Sequence, residues 1–123
     1  MNWSLDKSRP ICPQICELIS VAIANGEFAA DEKLLSVREL ALLAGVNPNT
    51  VQKSLEELER RGVIHSVRCQ GWYVNENIDA AVNEVRSLRI KKTKEYLNAM
   101  KQLGCDGNEI VNYIEECKEE DNE

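Results

Sequence analysis

The stretch SVRELALLAGVNPNTVQKSLEELERRG, residues 36–62, decides the fold. Ser36 followed three residues later by Glu39 is the pattern of a capping box, in which each side chain satisfies a backbone N–H left free at a helix start. Val37, Leu40, Ala41 and Ala44 recur at helical spacing and give a short helix one apolar stripe. Gly45 fits just beyond its end, where a left-handed residue closes the last turn without a Cβ penalty. Asn47 suits an N-cap and Pro48 a first helical position, since the missing N–H would be unpaired there anyway. Val51, Leu55 and Leu58 form the buried stripe of a second helix, which Gly62 ends after Arg60 and Arg61. Two helices joined by a tight, glycine-containing turn make a helix-turn-helix.

With that stripe buried, Asn49, Thr50, Gln52 and Lys53 project from the first turns of the second helix. A helix-turn-helix places this end in the major groove of DNA. Asn and Gln amides pair bidentately with adenine, and Thr offers a hydroxyl or a methyl contact. Lys53 suits a phosphate. A merely solvated polar face is the plain alternative; both caps, the turn and the outward amides in one stretch favour nucleic acid.

Working outward, Trp3, Leu5 and Pro10 form an extended lead-in. Pro13 sits where a first-turn proline is tolerated, and Ile15, Leu18, Ile19, Ala22 and Ile23 give a helical face ending at Asn25-Gly26. Phe28, Leu34 and Leu35 anchor a connector to the core. Beyond Gly62, Val63, Ile64 and Val67, then Trp72, Tyr73 and Val74, flank a tip Arg68-Cys69-Gln70-Gly71. This predicts a β-hairpin with Gly71 supplying the unusual backbone angle. After a helix-turn-helix such a hairpin is a wing, and Arg68, Gln70 and Gly71 are its candidate contacts to the backbone or minor groove.

Residues 77–123 read as two helices. Ile78, Ala81, Val82, Val85 and Leu88, then Leu97, Met100 and Leu103, predict a long helix with a break or rotation near Ile90. Some 26 residues at 1.5 Å each would extend roughly 39 Å, more than the small domain covers alone. After Gly104, Asp106 resembles an N-cap with Glu109 three residues on, and Ile110, Val111, Ile114 and Cys117 make another stripe. The terminal EEDNE is expected to fray. Two solvated faces, Arg86 to Lys94 basic and Glu115 to Glu120 acidic, could also pair across a dimer.

At 123 residues the chain is one small domain plus an appendage. No apolar run is long enough to span a membrane and no signal peptide is evident, so a cytoplasmic protein without membrane contact is expected. Five cysteines without paired spacing argue against a disulfide framework or a zinc module. Cys12 and Cys16 read as small apolar residues on one helix, and Cys69, beside Arg68, as the exposed thiol. His65, the one histidine, has no partner at ligand spacing. There is no phosphate loop, no metal cluster and no nucleophile with a base, so no catalytic residue, metal or cofactor is expected.

The formal charge of −6 works against a DNA binder. Residues 1–76 hold eight Lys/Arg against ten Asp/Glu, a net of −2. Residues 77–123 hold seven against eleven, a net of −4. Binding must therefore come from local placement of Arg38, Lys53, Arg60, Arg61 and Arg68.

From Pro10 to Val74 the chain resembles the GntR family of bacterial transcription regulators, through NGEF (25–28), SVREL (36–40), GVNPNTV (45–51), LEELERRGVI (55–64) and GWYV (71–74). The NPNT variant and short tail resemble its YtrA-like branch. The resemblance implies a dimeric repressor, often of transporter operons, and assigns Arg38 to DNA, where a helix N-terminus and a guanidinium both favour phosphate. Three positions depart from the family pattern: Cys12 for an aromatic residue, Leu35 for proline, and Cys69 for a wing glycine.

The expected protein is mainly α (α+β): a winged helix-turn-helix over 1–76 and a two-helix dimerisation tail over 77–123. It would be a homodimer on a pseudo-palindromic operator in double-stranded DNA. A tail of 47 residues is too small for a ligand domain, so any small-molecule effector would bind at a domain or dimer interface. The competing readings are a winged-helix module for protein partners and a thiol- or ligand-sensing regulator on the same fold.

Overall fold

Local signals start and stop each helix. In the structure, a computed structural model describing residues 3–121, α1 (Ile11–Ala24) begins after Pro10 and ends at Asn25, whose N–H reaches Val21 O at 2.9 Å. The helix α2 (Val37–Ala44) opens on the expected capping box, with both Ser36–Glu39 hydrogen bonds present at 3.1 Å. Gly45 closes it in the left-handed region, φ 66°. The helix α3 (Pro48–Arg60) follows, with Asn47 Oδ1 accepting from Asn49 N–H at 2.8 Å and Pro48 in its first turn.

The chain forms two compact units, Met1–Arg86 and Ser87–Glu123. In the first, Ile15, Ile19 and Ile23 of α1 meet Val51, Leu55 and Leu58 of α3 and Leu40 of α2, all buried. Trp3, Leu5, Phe28 and Leu35 pack against this core at its margin. Strands β1 (Ile64–Val67) and β2 (Gly71–Val74) pair antiparallel, from Ile64 opposite Val74 to Val67 opposite Gly71. The connector adds a third segment to this wing, through Leu34 N–H to Trp72 O and Val74 N–H to Glu32 O, both 2.9 Å.

The helix α4 (Asp79–Gln102) starts inside the first unit, where Ala81 and Val85 are buried. Glu84 accepts from Arg61 at 2.5 Å and from the buried Ser20 hydroxyl at 3.1 Å, so these first turns belong with the winged core. The helix runs unbroken past Ile90, so of the expected break or rotation there the break does not occur. Its stretch lacks glycine and proline, and a shift of apolar phase alone removes no backbone hydrogen bond.

In the second unit, Glu109 N–H bonds Asp106 Oδ1 at 2.9 Å and α5 (Gly107–Asp121) follows. That helix includes Glu119 to Asp121, which were expected to fray; Asn122 and Glu123 lie outside the described residues. Of the α5 stripe only Ile110 is buried, and Val111, Ile114 and Cys117 are exposed.

Cys16 lies within the α1–α3 contact, its thiol donating to Ser54 O at 3.4 Å. Burial, with the Cys12 sulfur beside it, pushes this thiol from 9.0 up to about 12. The folded state thus holds a proton that the unfolded state releases first. The stabilisation is fully present below pH 9 and is lost as pH rises through 12. Urea denaturation of the protein beside Cys16→Ala, from pH 8 upward, should show a steeper alkaline loss in the parent; parallel curves would contradict this placement of the thiol.

Candidate nucleic-acid interface

The turn between α2 and α3 is held from two sides. Val46 N–H reaches back to Ala41 O at 3.1 Å, closing the end of α2. From the lead-in, Lys7 Nζ donates to Gly45 O at 2.8 Å and Ala44 O at 3.3 Å. A cation on the last carbonyls of a helix opposes the negative end of its dipole. Sequence reasoning missed Lys7, because nothing local marks a contact to a carbonyl 38 residues away.

Burial of Val51, Leu55 and Leu58 fixes the rotation of α3. Asn49 and Lys53 are exposed, and Thr50 and Gln52 half-buried. Gln52 Nε2 donates to Glu56 Oε1 at 3.1 Å, one turn on. This leaves Oε1 and the second N–H of the amide for a base edge. Ser54 anchors the opposite face, its hydroxyl 2.8 Å from Thr50 O and 3.2 Å from Cys12 Sγ.

Three hollows lie along α3. One, of about 700 Å³, brings Gln52 together with Arg68 and Gly71 between helix and wing. Glu56 and Glu59 also line it; the first holds Gln52, and the second accepts from Ser66 N–H at 2.9 Å. A second, of about 260 Å³, places Arg38 beside Pro48. The third, of about 400 Å³, sets Lys53 with Cys12 and Arg60 on the α1 side. Gln70 lines none of these, and its side chain accepts from Tyr73 OH at 3.2 Å.

Ion pairing sorts the eight cations of residues 1–76. Arg9 pairs with Asp6, Arg60 with Glu57, and Arg61 with both Glu57 and Glu84. Hydrogen bonds from Arg60, then Arg61, hold the Glu57 carboxyl below its ordinary range. Lys7 caps α2. Arg60 and Arg61, both in the expected cationic set, thus each have a carboxylate partner in the free protein. Among the described residues, Lys33, Arg38, Lys53 and Arg68 remain exposed without an ion pair. Lys33 was not on the expected list.

The gntR family of bacterial regulatory proteins matches residues 13–74, half the chain and all of α2, α3 and the hairpin. The chain belongs to the GntR family. Members are DNA-binding transcription regulators, not enzymes. The HTH-type transcriptional repressor YtrA of Bacillus subtilis is 39% identical over 90 residues, 73% of this chain and 69% of that one. A GntR family regulator from Listeria monocytogenes superposes with a TM-score of 0.82 at 34% identity, covering 91% of this chain and 98% of that one. The AraR DNA-binding domain, solved in complex with its operator ORX1, matches 57% of this chain and 86% of its own at 31% identity and a TM-score of 0.52. These GntR relatives share the winged helix-turn-helix; among the described residues no helix is long and apolar enough to cross a membrane.

The wing tip departs from sequence expectation in one respect. Gly71 has positive φ, 106°, as expected, but so does Cys69, at 65°. Gln70 N–H bonds Val67 O at 2.9 Å, so Cys69 is the third residue of a four-residue turn, where positive φ favours glycine. A side chain there costs about 1–2 kcal/mol. Cys69→Gly should stabilise the protein by about 0.5–1 kcal/mol, glycine's unfolded-state entropy taking back part of the relief, and Cys69→Val should destabilise it. Urea denaturation decides; a destabilising glycine would show that the thiol makes an unrecognised contact.

Proposed function

We propose that this GntR regulator is a cytoplasmic homodimeric repressor reading a pseudo-palindromic operator. The observation that carries the reading is the placement of charge in residues 1–76: among the described residues Lys33, Arg38, Lys53 and Arg68, on the connector, α2, α3 and the wing, have no ion pair, while Arg9, Arg60 and Arg61 have carboxylate partners and Lys7 caps α2. The repressor YtrA and the operator-bound AraR domain support it. A transporter operon is the class of target in keeping with the YtrA-like branch.

In this reading Asn49, Thr50 and Gln52 touch base edges, Lys53 and Arg38 hold phosphates, and Arg68, Gln70 and Gly71 bring the wing tip to the backbone. Residues 1–76 read DNA and 77–123 dimerise, with the first turns of α4 packed on the winged core. The dimer rests on apolar side chains exposed in the second unit: Ile90, Leu97, Leu103, Val111, Tyr113 and Ile114. Exposed large apolar side chains in this number are what a protein interface would cover.

Gln52→Ala should cost about 1–3 kcal/mol on the best operator and relax preference at one base pair. Arg38→Ala or Lys53→Ala should weaken all sequences evenly and flatten the salt dependence by about one unit per half-site. Binding to matched and scrambled duplexes across a salt series separates these roles. If Gln52→Ala lowers every sequence equally while Lys53→Ala alters preference, α3 sits rotated in the groove.

Assembly has its own test. Sedimentation of the full chain should give a dimer at micromolar concentration, and a chain truncated after Arg86, where the first compact unit ends, should give a monomer. A monomeric full chain would remove the dimer.

A further inference from the structure

The connector that sequence reading treated as a core anchor is also the outer edge of the wing. Lys33 bridges antiparallel to Tyr73, on the side of β2 away from β1, and His65 faces Tyr73 from β1. Directly opposed residues share a sheet face. The row His65–Tyr73–Lys33 therefore lies on one face, with the two rings stacked at 6.1 Å. Ile64 and Val74 turn to the core from the other face. From the middle of the row, Tyr73 OH donates to Gln70 Oε1 of the tip at 3.2 Å.

Lys33 is exposed and forms no ion pair among the described residues. Its stem runs beside Gly71: a Cβ built on that glycine would lie 3.6 Å from Lys33 Cε. Glu39 at the start of α2 is near enough to feel its charge, yet that carboxylate is bound to Ser36 N–H at 3.1 Å. The lysine stem is thus carried beside Gly71 at the wing tip, with Glu39 near enough to feel its charge but no ion pair formed among the described residues.

We propose that Lys33 is a phosphate contact of the wing: a fourth cation, beside Arg38, Lys53 and Arg68, that positions the protein on the DNA backbone without reading sequence. Gly71 leaves the path of its stem open, so a small residue at the tip serves the lysine as well as the turn. The inference rests on the DNA-binding reading above and adds one counterion released per half-site. A phosphate contact carries no base information, so its loss should lower affinity for every sequence alike.

The test uses the full-length protein on a mixed-sequence duplex of roughly 30 bp, titrated between about 50 and 200 mM salt. Lys33→Gln keeps a long stem beside Gly71 and removes the charge. It should reduce the slope of log affinity against log salt by about 0.9 per half-site, narrowing the loss of affinity across that range about 3.5-fold for one half-site and about 12-fold for a dimer on two. Lys33→Arg should keep the parental slope, and the melting temperature should be unchanged in both. If Lys33→Gln retains the parental slope while Arg38→Gln lowers it, the lysine is no phosphate contact and the DNA-binding reading stands. A parental slope with a lowered melting temperature would overturn the inference in favour of packing. If the unaltered protein binds no duplex at any salt in the range, both fall together.

Discussion

Everything the interface presents depends on the burial of one side of α3 against α1. Val51, Leu55 and Leu58 are fully enclosed, and Ser54, between them, is tied to the first turn of α1 through Cys12 and to α1's second turn through the Cys16 thiol. A helix with one stripe sealed has no freedom to rotate, since turning it would expose three large side chains and break the Ser54 contacts to Cys12 and Cys16. The outward direction of Asn49, Gln52 and Lys53 follows from this constraint alone. Lys7 and Gly45 then fix the angle at which α2 delivers the chain to α3.

Local chemistry was legible and distant chemistry was not. The capping box, the Gly45 stop, the Asn47–Pro48 start and the hairpin each depend on residues a few positions apart, and each stands where the sequence put it. Lys7 on the α2 carbonyls, the Glu32–Leu34 edge of the wing and the Arg61–Glu84–Ser20 link join residues 23 to 64 positions apart. No periodicity marks such pairs. Of the break or rotation expected near Ile90, the break does not occur for a different reason: apolar phase reports which side a helix buries, and continuity is set by backbone hydrogen bonds. Cys69 at positive φ was half visible, as a departure from a glycine pattern whose cost only the backbone angle reveals.

The acidic balance and a DNA-facing surface are compatible because charge is sorted by partner. Of the carboxylates near α3, Glu57 is held by two arginines, Glu59 by Ser66 and Glu56 by Gln52. They are engaged locally, whereas Lys33, Arg38, Lys53 and Arg68, without an ion pair among the described residues, lie on the connector, α2, α3 and the wing tip. Net charge governs long-range attraction and is screened over about 8–10 Å in physiological salt. Contacts at the phosphate are set within that distance.

Whether this surface selects a sequence is the most direct question. Fragments of genomic DNA retained by the full-length protein at one fixed salt concentration should be enriched in a two-fold related motif. Its half-site centres should lie one helical turn, about 10 bp, or a multiple apart. Retained fragments with no enriched sequence would contradict the account and favour a winged helix that binds protein.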